Sequence, residues 1–291
     1  MGGETLPIAS PLRYQPMTTI DAHHHFWRFN EREYGWIDPA QTALRRDFLP
    51  ADLETALGVA RIDGVVTVQA RQSLEETSWL LDLAREHAFI RGVVGWVPLV
   101  APDVADLLAG LTASHPKLRG VRHVLQGEDN RYMLAPSFDR GIGQLAALNL
   151  TYDVLIFAHQ LPHATALVDR HPAQVFVLDH IAKPRIAAGE REPWATMMGE
   201  LARRPNVYCK VSGMVTEAGP AWTDAALRPY FDHVLEVFGP HRLIFGSDWP
   251  VCLDRSGYAQ WRDLVGRWLA ALSSEEQQRI MGGNAIEAYR L

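Results

Sequence analysis

Thr19-Ile20-Asp21-Ala22-His23-His24-His25-Phe26 reads as an apolar β-strand whose carboxyl end carries three histidines. Alternate side chains of a strand share a face, so His23 and His25 point one way and His24 the other. Near the far end of the 291-residue chain, Phe245-Gly246-Ser247-Asp248-Trp249-Pro250 closes another apolar run with a carboxylate. If the two strands lie side by side, two imidazoles and a carboxylate converge on one pocket. That is the outline of a metal or proton-transfer site.

Working outward from these two ends, eight short runs rich in Val, Ile and aromatic residues are bounded by turn residues: 19–26, 64–70, 92–99, 118–125, 151–157, 174–180, 206–211 and 242–248. Helical patterns lie between them at 49–62, 74–88, 104–115, 138–148, 161–171, 194–203, 225–238 and 258–272. Eight β-α alternations in one chain of this length specify a single-domain α/β protein, a (β/α)8 TIM-type barrel over 18–291. The rival, a doubly wound open sheet, lacks a GxGxxG after the first strand. Residues 1–17 show no periodicity and read as a flexible leader. A capping box from Ser273 to Glu276 starts a last helix, expected to cover a barrel end or join the outer ring. The loop 28–48, with Tyr34, Trp36 and Asp38, is long for a βα connection, as functional lids are.

Composition narrows the partners. The formal charge of −6 comes with no basic run, so nucleic acid and acidic membranes meet no electrostatic footprint, and a small molecule is the expected ligand. No stretch of 18 apolar residues and no secretory h-region occurs, and the two cysteines, Cys209 and Cys252, form no framework. The chain reads as cytoplasmic; nothing in it fixes an oligomeric state.

In a barrel, chemistry sits at the carboxyl ends of the strands. Polar residues collect there: His23 and His25 on the first strand, Arg122 and His123 on the fourth, Asp153 on the fifth, Asp179 and His180 on the sixth with Lys183 just beyond, Lys210 and Ser212 on the seventh, and Asp248 on the eighth. So many ionisable groups at one rim need a ligand, a metal or mutual pairing to offset desolvation. Of 28 basic residues only Lys117, Lys183 and Lys210 are lysines, and two of the three fall at strand ends. Arg122 and His123 adjoin, so one of them faces the pocket, and Arg122 is the preferred choice. Asp179 is read as pointing into the barrel wall or capping an amide. Trp27, Trp96 and Trp249 are placed either to stack on a sugar ring or simply to pack.

The motifs Asp21-Ala22-His23-His24-His25-Phe26-Trp27, Leu178-Asp179-His180-Ile181-Ala182-Lys183-Pro184 and Phe245-Gly246-Ser247-Asp248-Trp249-Pro250, with a terminal Gly283-Asn284-Ala285 before Tyr289, resemble the amidohydrolase superfamily. Within its amidohydrolase-2 branch they are similar to the sugar-lactone and dicarboxylate-lactone hydrolases. The resemblance implies an active-site core of His23, His25, His180 and Asp248, with one or two divalent metals, zinc foremost, activating water. Arg122-His123 and Asp153 stand where a bridging Lys and a further His are common, so the implied second metal site is lost. Similar lactonases include members that work with no metal, which leaves the metal optional. His23, His25 and Asp248 make up the three ligands of a catalytic zinc site; without metal, histidines and cationic neighbours would polarise the carbonyl.

The function so implied is a hydrolase that opens a sugar lactone, L-fuconolactone-like or L-rhamnonolactone-like, by attack of an Asp248-activated water. Arg122, Asp153, Lys183, Lys210 and Trp27 are the expected substrate contacts. One alternative is a zinc-dependent decarboxylase of an aromatic or muconate-type acid; another is a non-catalytic barrel that binds a sugar acid.

Overall fold

The computed structural model describes residues 18–291, and the proposed leader lies outside the described residues. Eight parallel strands follow one another around a barrel: β1 (Ile20–His24), β2 (Gly64–Val68), β3 (Ile90–Gly95), β4 (Leu118–Val124), β5 (Thr151–Leu155), β6 (Phe176–Leu178), β7 (Val207–Val211) and β8 (Leu243–Phe245). Closure comes beyond the last strand, where Asp248 N–H donates to His23 O at 2.8 Å and His25 N–H to Trp249 O at 2.7 Å. The backbone that closes the barrel therefore also brings the first and last sequence motifs together.

The helices of the outer layer are α1 (Pro50–Ala60), α2 (Leu74–Glu86), α3 (Val104–Ser114), α4 (Pro136–Ile142), α5 (Leu161–Arg170), α6 (Trp194–Ala202), α7 (Met214–Ala218), α8 (Asp224–Phe238) and α9 (Tyr258–Leu269). Their starts follow local chemistry. Pro50 opens α1 while Asp52 accepts from Leu49 N–H at 2.9 Å, and Ser73 Oγ caps α2 by accepting from Glu76 N–H at 3.1 Å. The helix expected over 138–148 instead stops at Ile142; Gly141 and Gly143 flank its end, and a short 3₁₀ turn (Ala146–Leu148) follows.

The Ser273 capping box forms as read, opening α10 (Ser274–Gln278), which leads into α11 (Asn284–Tyr289). This terminal segment seals the amino-terminal end of the barrel. Asn284 Nδ2 donates to Pro240 O at 2.8 Å and Leu243 O at 2.7 Å, and Thr151 Oγ1 donates to Ala288 O at 2.6 Å. Ala285, Ala288 and Tyr289 pack with Ile20, Val66 and Val94 in a small inner core, separate from the larger core between sheet and helices. The far, carboxyl end is left for chemistry. There the loop 28–48 is pinned at its base by the Trp27–Phe48 backbone pair, at 3.0 and 2.9 Å, and held further out by Tyr34 OH on Glu76 at 3.2 Å. Among the described residues no helix is long and apolar enough to cross a membrane.

Candidate active site

His23 and His25 project inward from the end of β1, while His24 turns outward, its Nε2 2.8 Å from Thr67 Oγ1 and its ring against Phe26. His25 Nδ1 lies 2.8 Å from Val68 O. A carbonyl can only accept, so His25 carries its proton on Nδ1 and turns the Nε2 lone pair inward. Asp248 sits past β8 in the left-handed region, with φ 59°, which swings its carboxylate over the barrel axis. Its Oδ1 lies 3.5 Å from His25 Nε2, 3.8 Å from His23 Nε2 and 3.9 Å from His180 Nε2.

Asp179 and His180 are neighbours, yet both face the axis. The strand ends at Leu178, and His180, Ile181, Ala182 and Lys183 all take left-handed backbone, with φ of 52°, 48°, 59° and 46°. Each such residue costs on the order of 1–2 kcal/mol, a cost held by the surrounding packing. The turn places His180 Nδ1 2.8 Å from Ser212 Oγ and carries Lys183 to the rim. Asp179 keeps the inward face of Val177 two residues earlier, which corrects the expectation that it points into the wall, and it is His180 that the turn swings out of strand alternation towards the axis. The Asp179 carboxylate accepts from Arg122 Nη1 at 2.9 Å, lies 2.9 Å from Lys210 Nζ, and comes within 3.2 Å of His23 Nδ1.

A cavity of about 210 Å³ opens over these groups, lined by His25, His180, Asp248, Arg122 and Lys183, with Trp36, Val124, Gln126 and Leu155 among its walls. A larger neighbouring cavity of about 480 Å³ shares Lys183 but reaches none of the histidines or Asp248 of the first. Arg122 enters the site anchored by Gln69, whose backbone and side-chain oxygens both accept from Nη2, the latter at 3.0 Å. His123 points away from the site, between Trp96 Nε1 at 3.2 Å and Glu128 at 2.9 Å. Three expected substrate contacts do not reach the cavity. Asp153 and Lys210 are fully buried beneath it and paired at 2.5 Å, and Tyr289 OH donates to both Asp153 oxygens at 2.9 Å. Trp27 is fully buried too, its Nε1 donating to Arg46 O at 2.9 Å. Two buried charges so placed satisfy each other and gain nothing from a substrate.

Sequence reasoning passed over Gln69 and Gln126. Gln69 falls at the end of the second apolar run, so the rule that strand ends carry chemistry applied to it as well. Asp21, quoted only as part of a motif, staples the last strand's exit to the first. It accepts from Ser247 N–H at 2.8 Å, Ser247 Oγ–H at 2.6 Å and Tyr258 OH at 2.9 Å.

The electrostatics divide the roles. Burial pushes the Asp248 carboxyl up, but the neighbouring His180, His25 and Lys183 together pull harder, leaving it below the ordinary carboxylate range. Burial holds His23 well below the usual imidazole range and brings His180 down to about 4. The site at neutral pH thus sets an ionised carboxylate beside the neutral imidazoles of His23 and His180.

Ligands about 2.0 Å from a tetrahedral ion stand about 3.3 Å apart. His23 Nε2, His25 Nε2 and Asp248 Oδ1 lie 3.2, 3.5 and 3.8 Å from one another, so this set fits a divalent metal. A second potential group, His23, Asp179 and His180, shares one member with it, and Lys210 and Arg122 already neutralise its carboxylate.

Residues 20–291 match the family model described as Amidohydrolase. The chain belongs to that amidohydrolase family. It is 41% identical over 285 residues to an L-fucono-1,5-lactonase of Burkholderia multivorans, spanning 94% of this chain and 96% of the relative. An L-fucono-1,5-lactonase of Burkholderia ambifaria is 39% identical over 94% of this chain and 95% of its own. A crystal structure of an amidohydrolase from Burkholderia multivorans with bound zinc superposes with a TM-score of 0.89 at 40% identity, covering 94% of this chain and 99% of that one.

Proposed function

We propose that this amidohydrolase opens a sugar lactone of the L-fucono-1,5-lactone type to its hydroxy acid. The observation that carries the reading is the ionised Asp248 carboxylate on the cavity floor, ringed by the imidazoles of His23, His25 and His180 and facing Arg122 and Lys183. The two lactonase relatives, alike along nearly their whole length, support the substrate class.

In the mechanism we propose, the lactone ring lies in the 210 Å³ cavity, which has room for one monosaccharide ring. Arg122 and Lys183 bring positive charge to the side where the carbonyl oxygen gains negative charge. Water sits against Asp248, which takes its proton as the new C–O bond forms. The tetrahedral centre collapses, the ring C–O bond breaks, and Asp248 returns the proton to the departing ring oxygen. The product acid then ionises, releasing one proton to solvent. His180, held by Ser212, keeps Asp248 aimed and charged. A divalent ion held by His23, His25 and Asp248 would supply Lewis acidity at the same place.

The test is acid release, read by pH indicator, on a panel of sugar 1,4- and 1,5-lactones before and after chelation. Turnover of particular lactones supports the reading, and its survival or loss with chelator decides whether metal is required. Silence on the whole panel, with carbon dioxide released from an aromatic acid, would replace it by the decarboxylase alternative.

A further inference from the structure

Trp36 stands exposed between buried neighbours. Tyr34 and Ile37 pack inside, and the turn that joins them, with Ile37 N–H donating to Tyr34 O at 3.0 Å, leaves 48% of Trp36 open. Among the described residues the other exposed large apolar side chains are Val59, Val100 and Phe157, and none of these lines the cavity that holds Asp248. Trp36 does line it. An exposed indole is apolar surface without a partner, and on the wall of a cavity the fitting partner is a ligand.

The loop holds the ring there from both sides. Before it, Glu33 pairs with Arg71 Nη1 at 2.8 Å and Tyr34 OH donates to Glu76 at 3.2 Å, fixing the loop to the segment that follows β2. After it, Gln41 Nε2 donates to Asp254 at 3.2 Å, fixing the loop to the segment that follows β8. The ring itself meets Trp27 edge to face, with centroids 5.6 Å apart. Such a contact uses at most one face of either ring, so at least one face of Trp36 stays free of it. A platform tied in this way is ordered before a ligand arrives, which keeps the ordering cost of binding low.

We propose, on the lactonase reading above, that Trp36 is the stacking platform for the closed sugar ring and a specificity-determining residue of the hydrolysis. Water driven by Asp248 approaches the carbonyl carbon across the plane of the lactone, so one ring face belongs to that water and the opposite face is left for a flat contact. The C–H bonds of that face, slightly positive, meet the negative face of the indole, while the hydroxyls at the ring edge keep to the polar groups of the cavity. Trp27 is fully buried, Trp249 is 3% exposed and Trp96 donates to His123, and none of the three lines this cavity. Stacking needs the closed ring and ends with it, because the open-chain hydroxy acid presents no continuous C–H face. Trp36 therefore favours the lactone over its own product.

The test is steady-state hydrolysis of L-fucono-1,5-lactone by the full chain as wild type, Trp36→Phe, Trp36→Leu and Trp36→Ala, with the open-chain product acid as inhibitor. Trp36→Ala is expected to raise KM roughly 10- to 100-fold and to leave kcat within about threefold, the pattern of lost ground-state binding. The inhibition constant of the product acid is expected to move by less than about threefold. Trp36→Phe, which keeps a flat ring, should recover most of the KM, whereas Trp36→Leu, apolar but not flat, should not. If Trp36→Ala does not fold, the Phe and Leu pair still decides. A Trp36→Ala enzyme with the wild-type KM overturns the proposal, and so does a Leu variant as good as Phe or an equal loss for lactone and acid, since either makes Trp36 plain wall. A wild type silent on lactones removes the proposed function and this inference with it, whereas an active wild type beside an unaffected Trp36→Ala removes the inference alone.

Discussion

Replacing Gly213 by alanine gives a direct measure of how tightly His180 is held. Gly213 follows β7 with φ +67°, and a Cβ built there would lie 2.7 Å from His180 Nδ1, 2.8 Å from Cγ and 3.0 Å from Cβ. Ordinary carbon contacts begin near 3.5 Å, so the ring would have to retreat by roughly 0.8 Å. It has nowhere to go: Ser212 holds its Nδ1, and the His23 ring lies 4.3 Å away, centroid to centroid. A shift approaching 1 Å at a catalytic group costs roughly 100-fold in rate. The left-handed backbone adds its own cost for alanine, about 1–2 kcal/mol of stability. Gly189 supplies the control, since its φ is +69° and a Cβ there would meet nothing within 4 Å. Gly189→Ala should therefore lower thermal stability by a similar few degrees and leave kcat untouched, whereas Gly213→Ala should lower both. Scanning fluorimetry and lactone turnover on the two variants separate backbone strain from ring displacement. A Gly213→Ala enzyme that turns over at the wild-type rate would refute the placement of His180 in the chemistry.

Asp248→Asn removes the proposed base and should cut kcat by about 10²–10⁴ while KM moves little; equal loss in binding, seen by titration with the product acid, would point to a structural role instead. Because its surroundings depress the Asp248 pKa, the proposed base stays ionised as pH falls through the ordinary carboxylate range, and the acid limb of kcat should lie below that range; a limb at pH 6 or above would contradict the assignment. Glu76, under the 28–48 loop, is pushed by burial from 4.5 to about 7. The folded chain then holds this proton more tightly than the unfolded one, so the stability it gives is full below pH about 4.5 and lost as pH rises through about 7, an effect on the order of 3 kcal/mol. Glu76→Gln should flatten the stability profile between those limits in denaturant melts at pH 5 and 8, and an unchanged slope would reject the cause.

The sequence by itself determined the barrel, because eight apolar runs alternating with eight helical patterns leave few other ways to bury both faces of every strand. It also marked where chemistry lies, since polar residues at strand ends are costly anywhere but a functional rim. His23, His25 and Asp248 could be placed on one pocket from strand alternation and the neighbourhood of first and last strands alone. Alternation failed at His180, which faces the axis beside Asp179, because the chain leaves the strand at Leu178 and then turns through four left-handed residues, a conformation that Ile181, Ala182 and Lys183 do not advertise. Asp153 and Lys210 were visible as strand-end charges, but only the fold shows them satisfied by each other and by Tyr289, 136 residues from Asp153 along the chain. Charge pairing of that kind depends on distance in space, to which residue order is blind. What the tertiary structure decided is therefore which ionisable groups spend their charge on one another below the floor and which, above all Asp248, are left to face the cavity.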